Sequence, residues 1–224
     1  MIKTLCAISI SFILTITCCL GQAQLVKDIN TNVASSSAGN FVKSGDNVYF
    51  FVRDNYGSEL WKSDGTTDGT SRVIDLNPGI YDGVLNNGFS FHDKFFFAGD
   101  DGVHGRELWV TDGSEVGTTL VKDIYTGTAT SSPSNYFIFN DKLYFTATDG
   151  IHGTELWKTD GTSAGTQLVF DLNPGSQNSA FRLFSPGTVK FYFFQTVVQS
   201  NSTVFELWQS DGTLPGTIKV RDFP

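Results

Sequence analysis

Beyond its first 24 residues the chain is written in short apolar or alternating runs, each closed by turn residues. The clearest stretch is NYFIFNDKLYFTATDGIHGTELWKTDGTSAGTQLVFDLNPG, residues 135–175. Apolar runs at 136–139, 143–148, 155–159 and 167–172 are separated by Asn140-Asp141-Lys142, by Asp149-Gly150-Ile151-His152-Gly153 and by Asp160-Gly161, and closed by Asn173-Pro174-Gly175. Aromatic and β-branched residues with Gly, Asn and Asp between them predict strands. No helical period is sustained beyond the N-terminal segment. The same plan recurs as VYFFV, ELWKS and RVIDL; as KFFFAG, ELWVT and TLVKDI; and as KFYFF, ELWQS and IKVRDF.

A twelve-residue word marks each unit: ELWKSDGTTDGT at 59–70, ELWVTDGSEVGT at 107–118, ELWKTDGTSAGT at 155–166 and ELWQSDGTLPGT at 206–217. Its tryptophans, Trp61, Trp109, Trp157 and Trp208, are 48, 48 and 51 residues apart. Four antiparallel strands per unit of that length predict an all-β fold, a β-propeller-like array of four-stranded blades. The blades span 31–76, 77–124, 125–172 and 173–223. Before them, LVKDIN at 25–30 matches the fourth-strand words LVKDIY and LVFDLN. Five fourth-type strands against four complete sets leave two arrangements. One is an incomplete propeller, a fragment of at least five blades; the other is a closed four-bladed ring with a redundant first strand.

The N-terminus, MIKTLCAISISFILTITCCLGQAQ, has an early Lys, an apolar stretch and a Gly-Gln-Ala end. It reads as a secretory signal peptide over 1–23, with a mature repeat domain from 24 to 224. All three cysteines lie inside it, so the mature chain relies on its core without disulfides or thiolate sites. The signal removes only Lys3, leaving 14 Lys and Arg against 23 Asp and Glu, a net charge of −9. An acidic chain without basic clusters argues against nucleic acid and anionic membranes as partners, and the mature part has no membrane span. Secretion or display at the cell surface is expected.

Each letter of the word has a structural use. The Trp fills space between sheets. Asp64-Gly65, Asp112-Gly113, Asp160-Gly161 and Asp211-Gly212 leave the third strand, Asp bonding nearby backbone and Gly accepting positive φ. Ca²⁺ needs several oxygen ligands at alternate positions. The second carboxylate of the first copy, Asp68, is replaced by Val116, Ala164 and Pro215 in the others, so no cofactor is expected, with Ca²⁺ as the alternative. Glu59, Glu107, Glu155 and Glu206 recur before Leu-Trp. Four equivalent carboxylates suit a repeated hydrogen-bond anchor better than a glycosidase pair, which needs two unlike environments.

The word, the D-G-x-x-G before it and the V-x-D-[LI]-N-P-G after it resemble the ELWxxDGT repeat family of exported bacterial proteins, over nearly the whole of residues 25–223. The resemblance implies export and a propeller-like repeat, and it brings no catalytic residues. Binding is then expected in the less uniform loops between second and third strands and between blades, which share one face. The candidates are Asp54, Asn55, Tyr56, Tyr81, Asp101, His104, Tyr125, Asp149 and His152. Tyr and Asp there suit a carbohydrate or a surface protein, and the two equivalent histidines suit either a metal or a turn bond. With no nucleophile constellation, a non-catalytic binding or adhesion module is expected. The alternatives are a propeller-type polysaccharide hydrolase or lyase, and a fragment without activity of its own.

Overall fold

The computed structural model describes residues 25–29, 37–54, 57–199 and 202–223. The predicted signal peptide, Asn30, Asn55 and Tyr56 lie outside them. Every regular element among the described residues is a strand. Blade 1 comprises β1 (Gly39–Ser44), β2 (Asn47–Asp54), β3 (Gly57–Ser63) and β4 (Ser71–Ile74). Blade 2 comprises β5 (Val84–Phe91), β6 (Lys94–Asp100), β7 (Arg106–Thr111) and β8 (Thr119–Lys122). Blade 3 comprises β9 (Ser134–Phe139), β10 (Lys142–Thr148), β11 (Thr154–Thr159) and β12 (Gln167–Phe170). Blade 4 comprises β13 (Phe181–Pro186), β14 (Phe191–Gln199), β15 (Ser202–Ser210) and β16 (Ile218–Phe223). Each blade is an antiparallel meander in sequence order. The structure is therefore the expected β-propeller-like array.

First strands adjoin one another, β1 beside β5, β5 beside β9 and β9 beside β13, so they form the inner wall of an arc. Among the described residues blade 4 makes no comparable contact with blade 1, and the array is open. No helix among the described residues is long and apolar enough to cross a membrane.

The core lies between blades. Adjacent residues of a strand point to opposite faces, so Leu and Trp of each ELW look in opposite directions. Leu60 packs forward with Tyr49 and Phe51 onto Phe95, Phe97 and Trp109 of blade 2. Leu108, Phe96 and Val121 meet Leu143, Phe145 and Trp157 of blade 3. Leu156, Tyr144 and Phe170 meet Phe191, Phe193 and Trp208 of blade 4. The Trp of blades 2, 3 and 4 thus anchors its blade to the one before, and the Leu of blades 1, 2 and 3 to the one after. Burying each such side chain contributes about 1.5–3 kcal/mol.

The Asp-Gly-Thr turn is a closed circuit repeated four times. In blade 3 Asp160 Oδ1 accepts from Thr162 N at 3.0 Å and from Thr162 Oγ1 at 2.7 Å. Thr162 Oγ1 accepts from Gly165 N at 3.0 Å, and Thr166 Oγ1 donates to Thr162 O at 2.7 Å. The other copies place Asp64, Asp112 and Asp211 identically. The glycine after each Asp has a second use. A Cβ on Gly113 would meet the Tyr49 hydroxyl, one on Gly212 the Tyr144 hydroxyl, and one on Gly161 the Phe96 ring. The word is therefore also a socket for an aromatic tip of the preceding blade. Gly65 has nothing within 4 Å.

The segment expected as a first strand forms none over residues 25–29. It has no third strand beside it among the described residues to supply a ladder. Even so, Lys27 Nζ donates to Thr70 O at 2.7 Å and Thr67 Oγ1 donates to Val26 O at 2.7 Å.

Candidate functional site

The loops expected to bind share one face and interlock. Gly57 of the β2–β3 turn lies against the Tyr81 carbonyl, Gly105 of the β6–β7 loop against that of Ala129, and Gly153 of the β10–β11 loop against that of Gln177. The ring of Tyr125 lies over Gly150, so this tyrosine is a packing residue. The Tyr81 side chain is exposed. Asp54 ends β2 opposite Gly57.

The structure does not bring the two histidines together. His104 Nδ1 bonds Asp101 Oδ2 at 2.8 Å, while Asp101 Oδ1 accepts from Val103 N and His104 N. His152 and Asp149 repeat this arrangement in blade 3, with a 2.7 Å side-chain bond. Each pair closes its own loop. The hydrogen bond to Asp raises the pKa of both histidines. Among the described residues no three His, Cys, Asp or Glu side chains are grouped to hold a metal ion.

Two of the recurrent glutamates, Glu107 and Glu155, are fully buried anchors for the linkers between blades. Glu107 Oε2 accepts from Ile124 N at 3.0 Å and from Ser131 Oγ at 2.6 Å. Its Oε1 accepts from Tyr125 N and Ser131 N, both at 3.2 Å. Glu155 holds Leu172 N and Ser179 N, at 3.0 and 3.1 Å. Burial raises Glu107, and it pushes Glu155 to about 7.

That shift sets a pH dependence. Between about pH 4.5 and 7 the folded state keeps a proton on Glu155 that the unfolded chain has released. Stability therefore falls as pH rises through this window. The raised histidines act in the same direction, their contribution being present below pH 6.5 and lost at higher pH. Urea unfolding from pH 4.5 to 8 is expected to show this decline, and Glu155→Gln to flatten its lower half. A midpoint that rises with pH in the wild type would contradict the assignment.

A concave surface opens where the linkers between blades meet the inner wall. All four first strands carry a register shift near their start, between Gly39 and Val42, Val84 and Gly88, and Arg182 and Phe184, with the blade 3 shift expressed between Tyr144 and Thr146 opposite β9. Such bulges re-aim side chains. Asn40, Asn87 and Asn135 sit at them, Asn40 and Asn135 with φ of 53° and 54°. Asn87 Nδ2 donates to Pro133 O of the next blade at 3.2 Å, and Asn135 Nδ2 to Thr146 Oγ1 at 3.0 Å. Between blades 3 and 4 the wall opens into a groove of about 300 Å³. Asn135, Thr154, Asn178 and Arg182 offer polar groups there, with Phe181 beneath. A second groove of about 300 Å³ lies at Asn40 and Asn87. Sequence reasoning missed this wall. Its only signal is an Asn at the start of three first strands.

Blades joined through repeated Glu anchors and aromatic sockets define a propeller-type repeat protein. No family model matches the chain, and no curated protein matches it. Among solved structures it is similar to one from a study of two prolyl endopeptidases, with a TM-score of 0.52 and 11% identity. The likeness covers 79% of this chain and 24% of that one, and it concerns the fold alone. An α-L-arabinofuranosidase (CtGH43) from Clostridium thermocellum matches with a TM-score of 0.37 and 11% identity over 80% of this chain and 70% of that one. The α-L-arabinofuranosidase PaAbf62A from Podospora anserina, in complex with cellotriose, matches with a TM-score of 0.38 and 12% identity, over 84% and 69%. These last two likenesses are too slight to carry an argument.

Proposed function

We propose that the chain is a non-catalytic secreted or cell-surface binding module of the ELWxxDGT type, which holds a carbohydrate against its inner wall. The groove between blades 3 and 4 carries this reading. Amide and hydroxyl groups at Asn135, Thr154 and Asn178, the Arg182 guanidinium and the Phe181 ring are the complement of a sugar, which needs several donors and acceptors beside an apolar face. The Glu107 and Glu155 carboxyl groups are committed to backbone N–H groups of the linkers and do not face the groove as a free pair. Calorimetric titration with oligosaccharides of plant and bacterial polysaccharides tests the reading. Arg182→Ala is expected to weaken binding about tenfold, or about 1.4 kcal/mol, with little change in melting temperature. Equal affinity in the variant, or no binding by the wild type, would refute it.

One observation favours polysaccharide hydrolysis as a second reading. Glu155, held near pKa 7, bonds Ser179 N directly behind the groove. A carboxyl protonated near neutrality is the state of a general acid. Polysaccharide turnover that disappears in Glu155→Gln would decide for this second reading.

A further inference from the structure

Blade 4 ends in a face whose counterparts in the other blades are all covered. The forward-pointing aromatics Tyr49, Phe96 and Tyr144 are 1%, 1% and 4% exposed, whereas Tyr192 at the same register is 41% exposed. Val121 is 5% exposed and its equivalent Val220 is 50%. Beside them Phe194, Phe205 and Phe223 line an apolar groove of about 440 Å³.

The polar fittings of this face are also unengaged by a following blade. Glu107 and Glu155 hold the linker to the next blade, whereas Glu206 bonds Trp208 Nε1 at 3.0 Å and Lys219 Nζ at 3.1 Å. Lys122 Nζ reaches forward to Thr166 O of blade 3 at 2.8 Å. Arg221 stands at its register position, since Lys122 pairs with Leu108 and Arg221 with Leu207.

The opposite end of the array is complementary. Lys27 donates to Thr70 O of blade 1 as Lys122 does to Thr166 O of blade 3. Residues 25–41, LVKDINTNVASSSAGNF, parallel residues 120–136, LVKDIYTGTATSSPSNY. Ser37 and Asn40 share the positive φ of Ser132 and Asn135. Residues 25–29 thus lie where the outermost strand of a preceding blade belongs. On the same side Gly65 is an empty socket, and Phe41 is exposed where it stacks on Phe50.

We propose that the outward face of blade 4 and residues 25–29 together receive one further three-stranded repeat unit, built on the same ELW word, which takes residues 25–29 as its fourth strand. Its linker amides would fill Glu206, its Asp-Gly socket would take Tyr192, and its own forward aromatic would enter Gly65. The fit continues an interface that the chain already makes three times. A second copy of the chain suits the site less well. Its blade 1 arrives with residues 25–29 already in the place that β16 would need.

The test extends the full chain after Pro224 with a copy of residues 126–166. A second extension, copied from residues 78–118, guards against a misfolded graft. The expected result is that amide exchange of residues 25–29 slows at least about tenfold on extension, and that binding of an apolar dye falls. The unextended chain is expected to sediment as a monomer. If neither extension protects residues 25–29, the proposal fails. A concentration-dependent dimer of the unextended chain that shields Tyr192 would overturn it in favour of a second copy.

Discussion

Glu107→Ala is expected to destabilise the chain by about 3–5 kcal/mol in urea unfolding, the largest loss of any single polar substitution described. The carboxylate accepts four hydrogen bonds, from three backbone N–H groups and one hydroxyl, all on the linker from β8 to β9. Alanine leaves Ile124 N and Tyr125 N without their acceptor, at about 1–3 kcal/mol for each that water does not reach, while Ser131 N and Oγ keep only the Arg106 carbonyl. Glu107→Gln keeps the size and one carbonyl acceptor, so it should lose less than half as much. The Glu206→Ala change supplies the contrast. Among the described residues that carboxylate bonds Trp208 and Lys219. Its loss should cost about 1–2 kcal/mol. Equal losses at 107 and 206 would mean that linker anchoring is not what the buried carboxylate does.

Gly105→Ala is expected to cost about 2–4 kcal/mol, and Gly65→Ala only about 1–2 kcal/mol. Both glycines have positive φ, 65° and 91°, so both substitutions incur left-handed strain of about 1–2 kcal/mol. Only the first also drives a methyl group into the Ala129 carbonyl oxygen and forces the β6–β7 loop off the linker to blade 3. The difference between the two variants in thermal unfolding isolates that contact. If they melt together, the loops on this face are not interlocked as described.

The architecture was readable because the word is a set of local rules. Asp-Gly-Thr bonds within itself, and Leu next to Trp already states that each strand has two apolar faces. The Glu anchor was readable as a role for Glu107 and Glu155, since carboxylates recurring at one register suit a repeated bond. Its partners were not, because they are backbone groups about 17–24 residues away and carry no side-chain signature. The loop histidines illustrate the opposite difficulty. Their composition suits ligation, yet Asp three residues before each one closes the loop upon itself. The inner wall was illegible for a third reason. Asn40, Asn87 and Asn135 are aimed by a slip in backbone pairing, and residue type alone does not announce which strand slips.

The one-residue offset between Leu and Trp also gives the array a direction. Every blade presents a leading surface and a different trailing one, much as a brick has studs above and hollows below. A duplicated repeat therefore arrives with both halves of its joint already made. Lengthening the protein by whole units requires no new contact to be invented, whereas reversing a unit would set Leu against Leu and Trp against Trp along the seam.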